Sequence, residues 1–491
     1  MIFFAVVLAA YFSMPFRFRK VFLLLAGYFF YMCFKPENVI ILVVSTLLDY
    51  YLGRRIGASV AGARKRWLIL GVVHNIGMLL ALKYLVFFSE ITTALLKPLP
   101  VLSDVNAVAF LAPVGISYYT FKKISYLIDV YRETRQPEKR VCEFALYVSF
   151  FPEIMAGPID RSTTLIPQLD REARFDYQRV KEGLILILMG FLKKVVIADR
   201  LAAFVSKVYN NPTEFAGPSL LAATVYFSIQ IYCDFSGYTD IALGIGKLLG
   251  VELGENFDRP YFARSIGDFW KRWHMTLSSW LMDYLFLPIA YSVSRKIKST
   301  HVLKIKAETW AYMIGIMVTM LLCGLWHGAS WTFVLWGTIH GLFLAISFGT
   351  KKLRKKINKT LGFKKNAWVP NLFRGLMTFG MVTWAWIFFR ADSLADAHYI
   401  VTHLFSGWSK VLGLAPLLNA LSFELLKKEL AVAAISVLFL LLVHLWQGKA
   451  TVQEWLGNQK WVVRWSIYLG LILWILTFGE SSAENFIYFK F

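Results

Sequence analysis

Two long apolar runs restrict this chain to a membrane fold. Residues 311–325 and 331–348 contain no Asp, Glu, Lys or Arg, and His327 lies in the short segment between them. A helix needs about 20 mostly apolar residues to cross a bilayer. An ionisable side chain at that depth is costly, so it normally faces a cavity or a partner and has a function. The runs therefore predict membrane helices with either a functional histidine or a neutral one that hydrogen-bonds two packed helices.

The whole chain has the composition of a polytopic membrane protein. It contains 491 residues, of which 57% are hydrophobic and 16% are aromatic. The formal charge of +22 is large enough to suggest nucleic-acid binding, but basic residues concentrate between apolar runs, around residues 54–66 and 351–365. This placement is typical of cytoplasmic loops beside anionic lipid. We therefore expect membrane lipid as a partner and no nucleic acid.

Several apolar segments are too short to cross the bilayer alone. Half-depth segments are tolerated only where they are buried in protein or line water. We therefore predict an all-α polytopic membrane protein with about eleven transmembrane helices plus re-entrant and interfacial helices around a central cavity. A single membrane-embedded domain over residues 1–491 is expected. Residues 1–14 are apolar and are followed rather than preceded by basic residues, so they are expected to remain as a membrane segment.

A second histidine lies in an amphipathic stretch that follows a signal for the start of a helix. Ser265 opens a match to a capping box, and a helix is predicted over residues 268–286. Helical spacing would place Trp270, His274 and Ser278 in one row. Aromatic and basic side chains at a membrane surface are ordinary anchors, which leaves a structural role open. Two imidazoles brought together would form an acid–base pair, because histidine titrates near neutrality.

Acidic residues interrupt other apolar regions. Asp234 and Asp240 are each able to cap a helix, pair with a basic residue or orient a histidine, and capping is favoured. Glu153 lies in a predicted helix break and is expected to line a polar cavity. The four cysteines are scattered without C-x-x-C spacing, so the sequence indicates neither a disulfide framework nor a metal site.

Seven motifs in a fixed order carry a resemblance to a known family. They are PVGISYYTF at 113–121, FPEIMAGPIDR at 151–161, DFSGYTDI at 234–241, NFDRPY at 256–261, FWKRWHMTLS at 269–278, LWHGA at 325–329 and WIFFR at 386–390. Together they resemble the membrane-bound O-acyltransferase family, in particular its bacterial branch of alginate O-acetyltransferases and teichoic-acid D-alanyl transfer proteins, and most of all the alginate type. The resemblance covers residues 1–405, and residues 406–491 match only as hydrophobic transmembrane spans.

The resemblance implies a bundle of irregular helices around a cavity open to both faces of the membrane. It places His327 at the position of the family's essential histidine and His274 at that of a second one. It also implies an enzyme of a bacterial cytoplasmic (inner) membrane that transfers an acetyl group to an extracytoplasmic polysaccharide. The donor would be acetyl-coenzyme A, or a carrier protein with the same pantetheine arm, used as a substrate with no bound cofactor. A separate polysaccharide-modifying protein is expected to finish or direct the transfer.

The two histidines receive different roles, because acyl transfer passes through a tetrahedral oxyanion. We expect neutral His327 to act as a general base toward the acceptor hydroxyl, and His274 to orient the acceptor or to stabilise the developing charge. A transient acyl group on His327 stays open. Arg272 would meet the donor phosphates or reach lipid headgroups. Further substrate contacts are expected from four tryptophans that would form a dry wall and from two polar residues, namely Trp270, Trp273, Trp326, Trp331, Ser278 and Asp240.

Other functions stay open on the sequence alone. The transferred group could be D-alanyl or another acyl group from a carrier protein. The chain could instead be a proton-coupled transporter whose histidines relay protons, with Asp49, Asp129, Glu153 and Asp240 as further proton sites. It could also be a non-catalytic scaffold for a complex that modifies polysaccharide.

Overall fold

The computed structural model describes residues 2–84, 115–297, 299, 301–302, 305–360, 368–411, 427–447, 451–480 and 486. These residues form helices and connecting loops, with one two-residue antiparallel ladder that pairs His301–Val302 with Ile305–Lys306. The predicted all-α fold is confirmed. The first two residues of the 113–121 motif lie outside the described residues, as do residues 361–365 of the predicted basic loop.

Five of the described helical segments are long and apolar enough to cross a bilayer. They are Ala61–Tyr84, Ala307–His327, Trp331–Gly349, Trp368–Arg390 and Trp461–Phe478. The polytopic membrane character is therefore confirmed. The count of about eleven crossings, the re-entrant helices and the central cavity stay predictions.

The chain forms two compact units. Unit 1 comprises Met1–Ile187 and Thr239–Glu255, and unit 2 comprises Leu188–Tyr238 and Asn256–Phe491. The expected single domain over 1–491 stays a prediction.

In chain order the first ten helices are α1 (Ile2–Ser13), α2 (Phe16–Met32), α3 (Asn38–Ala58), α4 (Ala61–Leu79, with a π-helical extension Leu80–Tyr84), α5 (Ile116–Tyr131), α6 (Val141–Ser149), α7 (Ser162–Leu169), α8 (Tyr177–Phe191, with a π-helical extension Leu192–Ala198), α9 (Asp199–Asn210) and α10 (Gly217–Leu249).

The later helices belong to unit 2. They are α11 (Ile266–Phe269), α12 (Met275–Leu281, with a π-helical extension Met282–Phe286), α13 (Leu287–Lys296), α14 (Ala307–His327), α15 (Trp331–Gly349), α16 (Lys351–Thr360), α17 (Trp368–Arg390), α18 (Leu394–His403), α19 (Lys427–Trp446), α20 (Val452–Gly457) and α21 (Trp461–Phe478). Short 3-10 turns lie at Pro212–Glu214, Pro260–Phe262 and Trp408–Val411. The predicted basic loop begins as the exposed helix α16, because its Lys and Arg residues are good helix formers and it contains no Gly or Pro.

The core of unit 1 is built around α5, which has buried side chains on every face. Lys123 Nζ lies 3.2 Å from Asp49 Oδ2 of α3, and both side chains are fully buried. The amide of Asn75 donates to both Asp49 oxygens, at 2.8 and 2.9 Å. The preceding residue, Lys122, forms an equally buried ion pair with Glu153. Two adjacent lysines are therefore each matched by a carboxylate inside an apolar core, which such charges require.

In unit 2, α14 and α15 form an antiparallel hairpin whose backbones touch. A Cβ placed on Gly324 would lie 2.3 Å from the carbonyl oxygen of Phe333, and a Cβ on Gly337 would lie 2.3 Å from that of Met320. Only glycine permits this distance, and small residues commonly serve this purpose between membrane helices. Gly324 is one of the two glycines that flank Trp326 and His327 in the sequence, and the close approach of the two backbones occurs there.

The end of α14 fixes the position of His327. The helix stops there because Gly328 takes an extended conformation, with φ −165° and ψ 152°. Ser330 then caps α15 by accepting a hydrogen bond from the backbone N–H of Thr332 at 3.3 Å. The histidine thus lies at the corner of the hairpin.

The predicted continuous helix over residues 268–286 is wrong. Ser265 caps a helix as expected, since its hydroxyl accepts from the N–H of Asp268 at 3.1 Å, but α11 ends after one turn at Phe269. His274 has left-handed backbone angles, φ 43° and ψ 56°, and α12 begins after it. The row of side chains at helical spacing that includes Trp270 and Ser278 therefore does not exist.

A backbone pairing explains this break. Phe257 and Trp273 form an isolated antiparallel β-bridge. Two hydrogen bonds flank the bridge. The N–H of Asp258 donates to the carbonyl oxygen of Arg272 at 3.0 Å, and the N–H of Met275 donates to the carbonyl oxygen of Asn256 at 3.0 Å. The extended segment at residues 256–258 therefore hydrogen-bonds the carbonyl of Arg272 and the N–H of Met275, which a continuous helix would have bonded within itself.

Candidate active site

His327 is buried in an aromatic shell at the hairpin corner. Its ring centroid lies 4.7 Å from that of Trp326, 5.1 Å from Trp336 and 5.2 Å from Phe389, in each case close to edge-on. These neighbours come from α14, α15 and α17. A positively charged imidazole would lose its hydration here, so the surroundings favour the neutral form that a general base needs.

His274 is fully buried and is held in a strained backbone conformation. A left-handed conformation at a residue other than glycine costs about 1–2 kcal/mol, and strain of this kind concentrates at functional sites. The ring of Phe235, from α10, packs edge-on against the imidazole with centroids 4.7 Å apart. Burial lowers the pKa of His274 to about 3, so this imidazole is also neutral at physiological pH.

One indole joins the two histidines. The ring of Trp326 lies 6.3 Å from His274 and 4.7 Å from His327. Trp326 is itself buried, so both imidazoles share an apolar neighbour inside unit 2. Both of the histidines that the sequence singled out therefore lie beside Trp326, and the position of His274 is set by a loop and not by a helix face.

Polar contacts hold one ring nitrogen of His274. Its Nδ1 lies 3.2 Å from the amide oxygen Oδ1 of Asn256, and the hydroxyl of Thr276 donates to the same oxygen at 2.6 Å. The other ring nitrogen, Nε2, is buried without a hydrogen bond to any of the described residues. A buried polar atom of this kind normally has a partner, so Nε2 is a candidate for a contact with a bound group.

Trp270 and Trp273 contribute to the same aromatic shell. The indole N–H of Trp270 donates to Nδ1 of His340 at 3.3 Å. Trp273 stacks on Phe269 with centroids 5.5 Å apart and contacts Trp386 at 5.1 Å. Both tryptophans are buried, and the dry wall that they were expected to form stays a prediction.

Trp331 does not belong to this wall. It is the first residue of α15 and is 63% exposed. The sequence placed it close to His327 because only three residues separate them, but the hairpin corner turns the side chain outward. The expectation for Trp331 is therefore corrected.

The other predicted substrate contacts are engaged elsewhere. Arg272 Nε lies 2.9 Å from Asp268 and its Nη1 lies 3.1 Å from Asp258, so two carboxylates already hold the guanidinium. Ser278 donates its hydroxyl to the carbonyl of Trp273 at 3.2 Å and stabilises the turn before α12. Asp240 is half-buried on the part of α10 that belongs to unit 1.

Asp234 and Asp240 lie inside α10, so the favoured capping interpretation is wrong. Lys194 Nζ lies 2.7 Å from Asp234 Oδ1 and 2.7 Å from Asp199 Oδ1. Asp234 is thus an ion-pairing residue next to Phe235, the residue that packs on His274.

Sequence reasoning missed Asn256, Trp336 and Phe389. Asn256 was visible as the first residue of the 256–261 motif, but no local pattern connects it with a histidine 18 positions later. Trp336 and Phe389 lie in apolar runs where nothing distinguishes them from ordinary packing residues. Their role depends on tertiary contacts between α14, α15 and α17.

Comparison with known proteins gives one family. The model of the membrane-bound O-acyltransferase family matches residues 140–391, a range that contains both candidate histidines. A probable alginate O-acetylase of Pseudomonas aeruginosa is 36% identical over 413 residues, which cover 82% of this chain and 73% of the relative.

Two further relatives differ in the group or polymer that their names mention. A peptidoglycan O-acetyltransferase of Helicobacter pylori is 32% identical over 418 residues, which cover 80% of this chain and 74% of the relative. A teichoic acid D-alanyltransferase of Streptococcus thermophilus is 31% identical over 256 residues, which cover 50% of this chain and 59% of the relative.

Proposed function

The chain belongs to the membrane-bound O-acyltransferase family, and we propose that it moves acetyl groups from a cytoplasmic thioester to polysaccharide hydroxyls outside the membrane. It is a multi-pass membrane O-acyltransferase. The proposed donor is acetyl-coenzyme A and the proposed location is the cytoplasmic membrane of a bacterium. The whole of residues 1–491 would serve as one membrane domain.

The acetyl group is favoured by the pattern of relatives. Two relatives whose names mention O-acetylation each align with at least 80% of this chain. The D-alanyltransferase aligns with only 50%. D-alanyl transfer from a carrier protein is therefore the less favoured form of the same chemistry.

The observation that carries the proposal is the pair of buried histidines whose rings both lie next to Trp326. In the proposed reaction, His327 takes the proton of the acceptor hydroxyl while the oxygen of that hydroxyl bonds to the carbonyl carbon of the thioester. The tetrahedral oxyanion then collapses, the carbon–sulfur bond breaks, and the imidazolium returns the proton to the leaving thiolate. The products are an acetyl ester and a thiol, and His327 ends neutral as it began.

The aromatic shell would keep water out of this exchange. Trp270, Trp273 and Trp326 offer a dry surface for the pantetheine arm, since a thioester near bulk water would hydrolyse instead of acylating an alcohol. Arg272 is held by two carboxylates, so a role toward donor phosphates would require it to leave them. A separate extracytoplasmic protein is proposed to receive or direct the acetyl group.

The test uses purified protein in liposomes with labelled acetyl-coenzyme A and a soluble oligosaccharide acceptor. We expect acetyl transfer that falls at least about 100-fold in His327→Ala and His327→Gln, because general-base catalysis contributes that much. A monodisperse elution profile establishes that each variant is folded. Proton-coupled uptake of a solute without thioester turnover would identify a transporter. Unchanged polymer acetylation in cells carrying either variant would identify a scaffold.

A further inference from the structure

We propose that Asn256 is a positioning residue that holds His274 in one neutral tautomer, with its proton on Nδ1 and the lone pair of Nε2 available to a substrate N–H or O–H. The proposal rests on the proposed acyl transfer and assigns a chemical task to the second histidine. The sequence alone left two tasks open for His274, namely orienting the acceptor and stabilising the oxyanion.

The hydrogen bonds around Asn256 determine the tautomer. An amide oxygen only accepts hydrogen bonds, and Oδ1 of Asn256 already receives the hydroxyl of Thr276 at 2.6 Å. The Nδ1 atom of His274, 3.2 Å from the same oxygen, must then be the donor. A neutral imidazole carries one proton, so Nε2 is left with its lone pair.

The backbone holds Asn256 firmly enough for this purpose. Its carbonyl accepts the N–H of Met275 at 3.0 Å, directly after His274. The neighbouring bridge between Phe257 and Trp273 prevents the two segments from sliding past each other. Asn256 and His274 are both fully buried, so bulk water does not compete for the Nδ1 proton.

No charged residue is in the described contacts of the imidazole. They are Phe235 from α10, Trp326 from α14 and Asn256 from the segment that pairs with the loop. The tautomer therefore depends on one uncharged amide and not on an ion pair.

This tautomer separates the tasks of the two histidines. A lone pair on Nε2 accepts a hydrogen bond but has no proton to donate to an oxyanion, so His274 orients a substrate. The reacting hydroxyl has one proton, and His327 takes it. Nε2 of His274 must then bind a second donor, either a neighbouring hydroxyl of the sugar or an amide N–H of the pantetheine arm. Both are polar hydrogen donors, and steady-state kinetics distinguish them.

The first measurement is the protonation state itself, by nitrogen NMR of protein labelled with ¹⁵N-histidine in lipid. The His274→Asn variant identifies the signal, since asparagine tolerates the left-handed backbone. We expect Nδ1 of His274 to be protonated and Nε2 not. A proton on Nε2 in the wild-type protein would overturn the proposal, whatever the enzymatic activity. Loss of the proposed function would instead appear as acetyl transfer that persists in His327→Ala.

The second measurement compares three variants. Asn256→Leu removes the acceptor of the Nδ1 proton, and we expect mixed tautomers and a loss of at least about tenfold in kcat/KM, since a wrong tautomer disables catalytic histidines. Asn256→Asp keeps an acceptor, so it should keep the tautomer and most of the activity. Its negative charge should favour the imidazolium of His274, which has no lone pair on Nε2, so activity should begin to fall at a higher pH than the His327 protonation alone produces in the wild-type protein. Thr276→Val keeps Asn256 and should have a smaller effect than Asn256→Leu.

The substrate group is then identified from KM in Asn256→Leu. A higher KM for the oligosaccharide would indicate a neighbouring hydroxyl, and a higher KM for the thioester would indicate the pantetheine amide. Asn256→Leu could lose activity simply because less of the protein folds. Asn256→Asp controls for this, because a residue with only a structural role would not shift the pH profile. An unshifted profile in that variant, or wild-type kinetics in Asn256→Leu, would contradict the proposal.

Discussion

The glycine contact between α14 and α15 offers a test of how His327 is positioned. In Gly324→Ala the new Cβ would lie 2.3 Å from the carbonyl oxygen of Phe333 and 3.1 Å from Cα of Gly337. Non-bonded heavy atoms rest at about 3.5 Å, so the two helices must separate by about 1 Å at this point. Both neighbours are backbone atoms, which cannot swing aside as the end of a side chain can.

That separation is expected to reach the candidate base. His327 follows Gly324 by less than one helical turn and packs against Trp336 of the other helix, with centroids 5.1 Å apart. A displacement of about 1 Å at a catalytic group lowers the rate by about 100-fold. Overpacking of this kind destabilises a protein by about 1–3 kcal/mol. We therefore expect a folded protein whose kcat falls between about tenfold and 100-fold.

The assay is acetyl transfer from labelled acetyl-coenzyme A in liposomes, with Gly380→Ala as the matched control. Gly380 also lies inside an apolar helix, α17, but no described atom is within 4 Å of its added Cβ. Gly380→Ala should retain wild-type turnover. Wild-type turnover in Gly324→Ala would refute the positioning argument. An equal loss in both variants would assign the effect to alanine in a membrane helix and not to the helix contact.

Four further predictions follow from individual contacts. Trp326→Ala should lower kcat at least about tenfold through loss of the surface shared by both histidines, whereas Trp331→Ala, which alters an exposed residue, should leave it nearly unchanged in the same assay. Acidification should lower kcat by protonating His327, and a flat profile between about pH 5 and 8 would contradict a histidine base. Lys123→Met leaves the Asp49 carboxylate buried without its cation and should destabilise the fold by about 3–5 kcal/mol, and adding Asp49→Leu should restore most of the loss in thermal unfolding. Burial opposes ionisation of Glu143, but its hydrogen bond with Lys20 holds the pKa of Glu143 below the ordinary value of 4.5. The ion pair therefore stabilises the fold above pH 4.5, and this stabilisation is lost as the pH falls and Glu143 is protonated. Lys20→Met should lower the melting temperature at pH 7 and have little effect on it at pH 3.

The two helices and the glycines on either side of His327 could be predicted because their causes are local. Long apolar runs define α14 and α15, and glycines beside a histidine favour a close approach or a bend of the backbone. In the structure Gly324 permits the close approach and Gly328 follows the last residue of α14. The same reasoning failed for Trp331, since proximity in sequence says nothing about which way a side chain points after a sharp turn.

The surroundings of His274 could not be predicted, because they depend on a non-local pairing. Ser265 is a valid helix cap, and local propensity after it favours a continuous helix. The bridge between Phe257 and Trp273 overrides that propensity and leaves His274 with a left-handed backbone. The cap at Ser265 therefore correctly predicted the start of a helix, but the continuous helix predicted through His274 was wrong.

The buried ion pairs of unit 1 could not be predicted either, because they also join residues that are distant in the sequence. A pair of lysines in α5 looks like a polar end of a membrane segment, and nothing near it in the sequence indicates a carboxylate partner. The partners of Lys122 and Lys123 lie on opposite sides of α5 in the sequence, at Glu153 and Asp49. Only the folded chain shows that both lysines are interior residues.

This arrangement of α5 also sets an order for the protein's biosynthesis. Asp49 has been made when α5 emerges from the ribosome, so Lys123 finds its counter-ion at once, whereas Glu153 is still to come. A buried lysine without a carboxylate partner is costly in an apolar core. Because Glu153 follows α6 in the chain, the packing of α5 with both lysines paired is completed only after translation has passed residue 153.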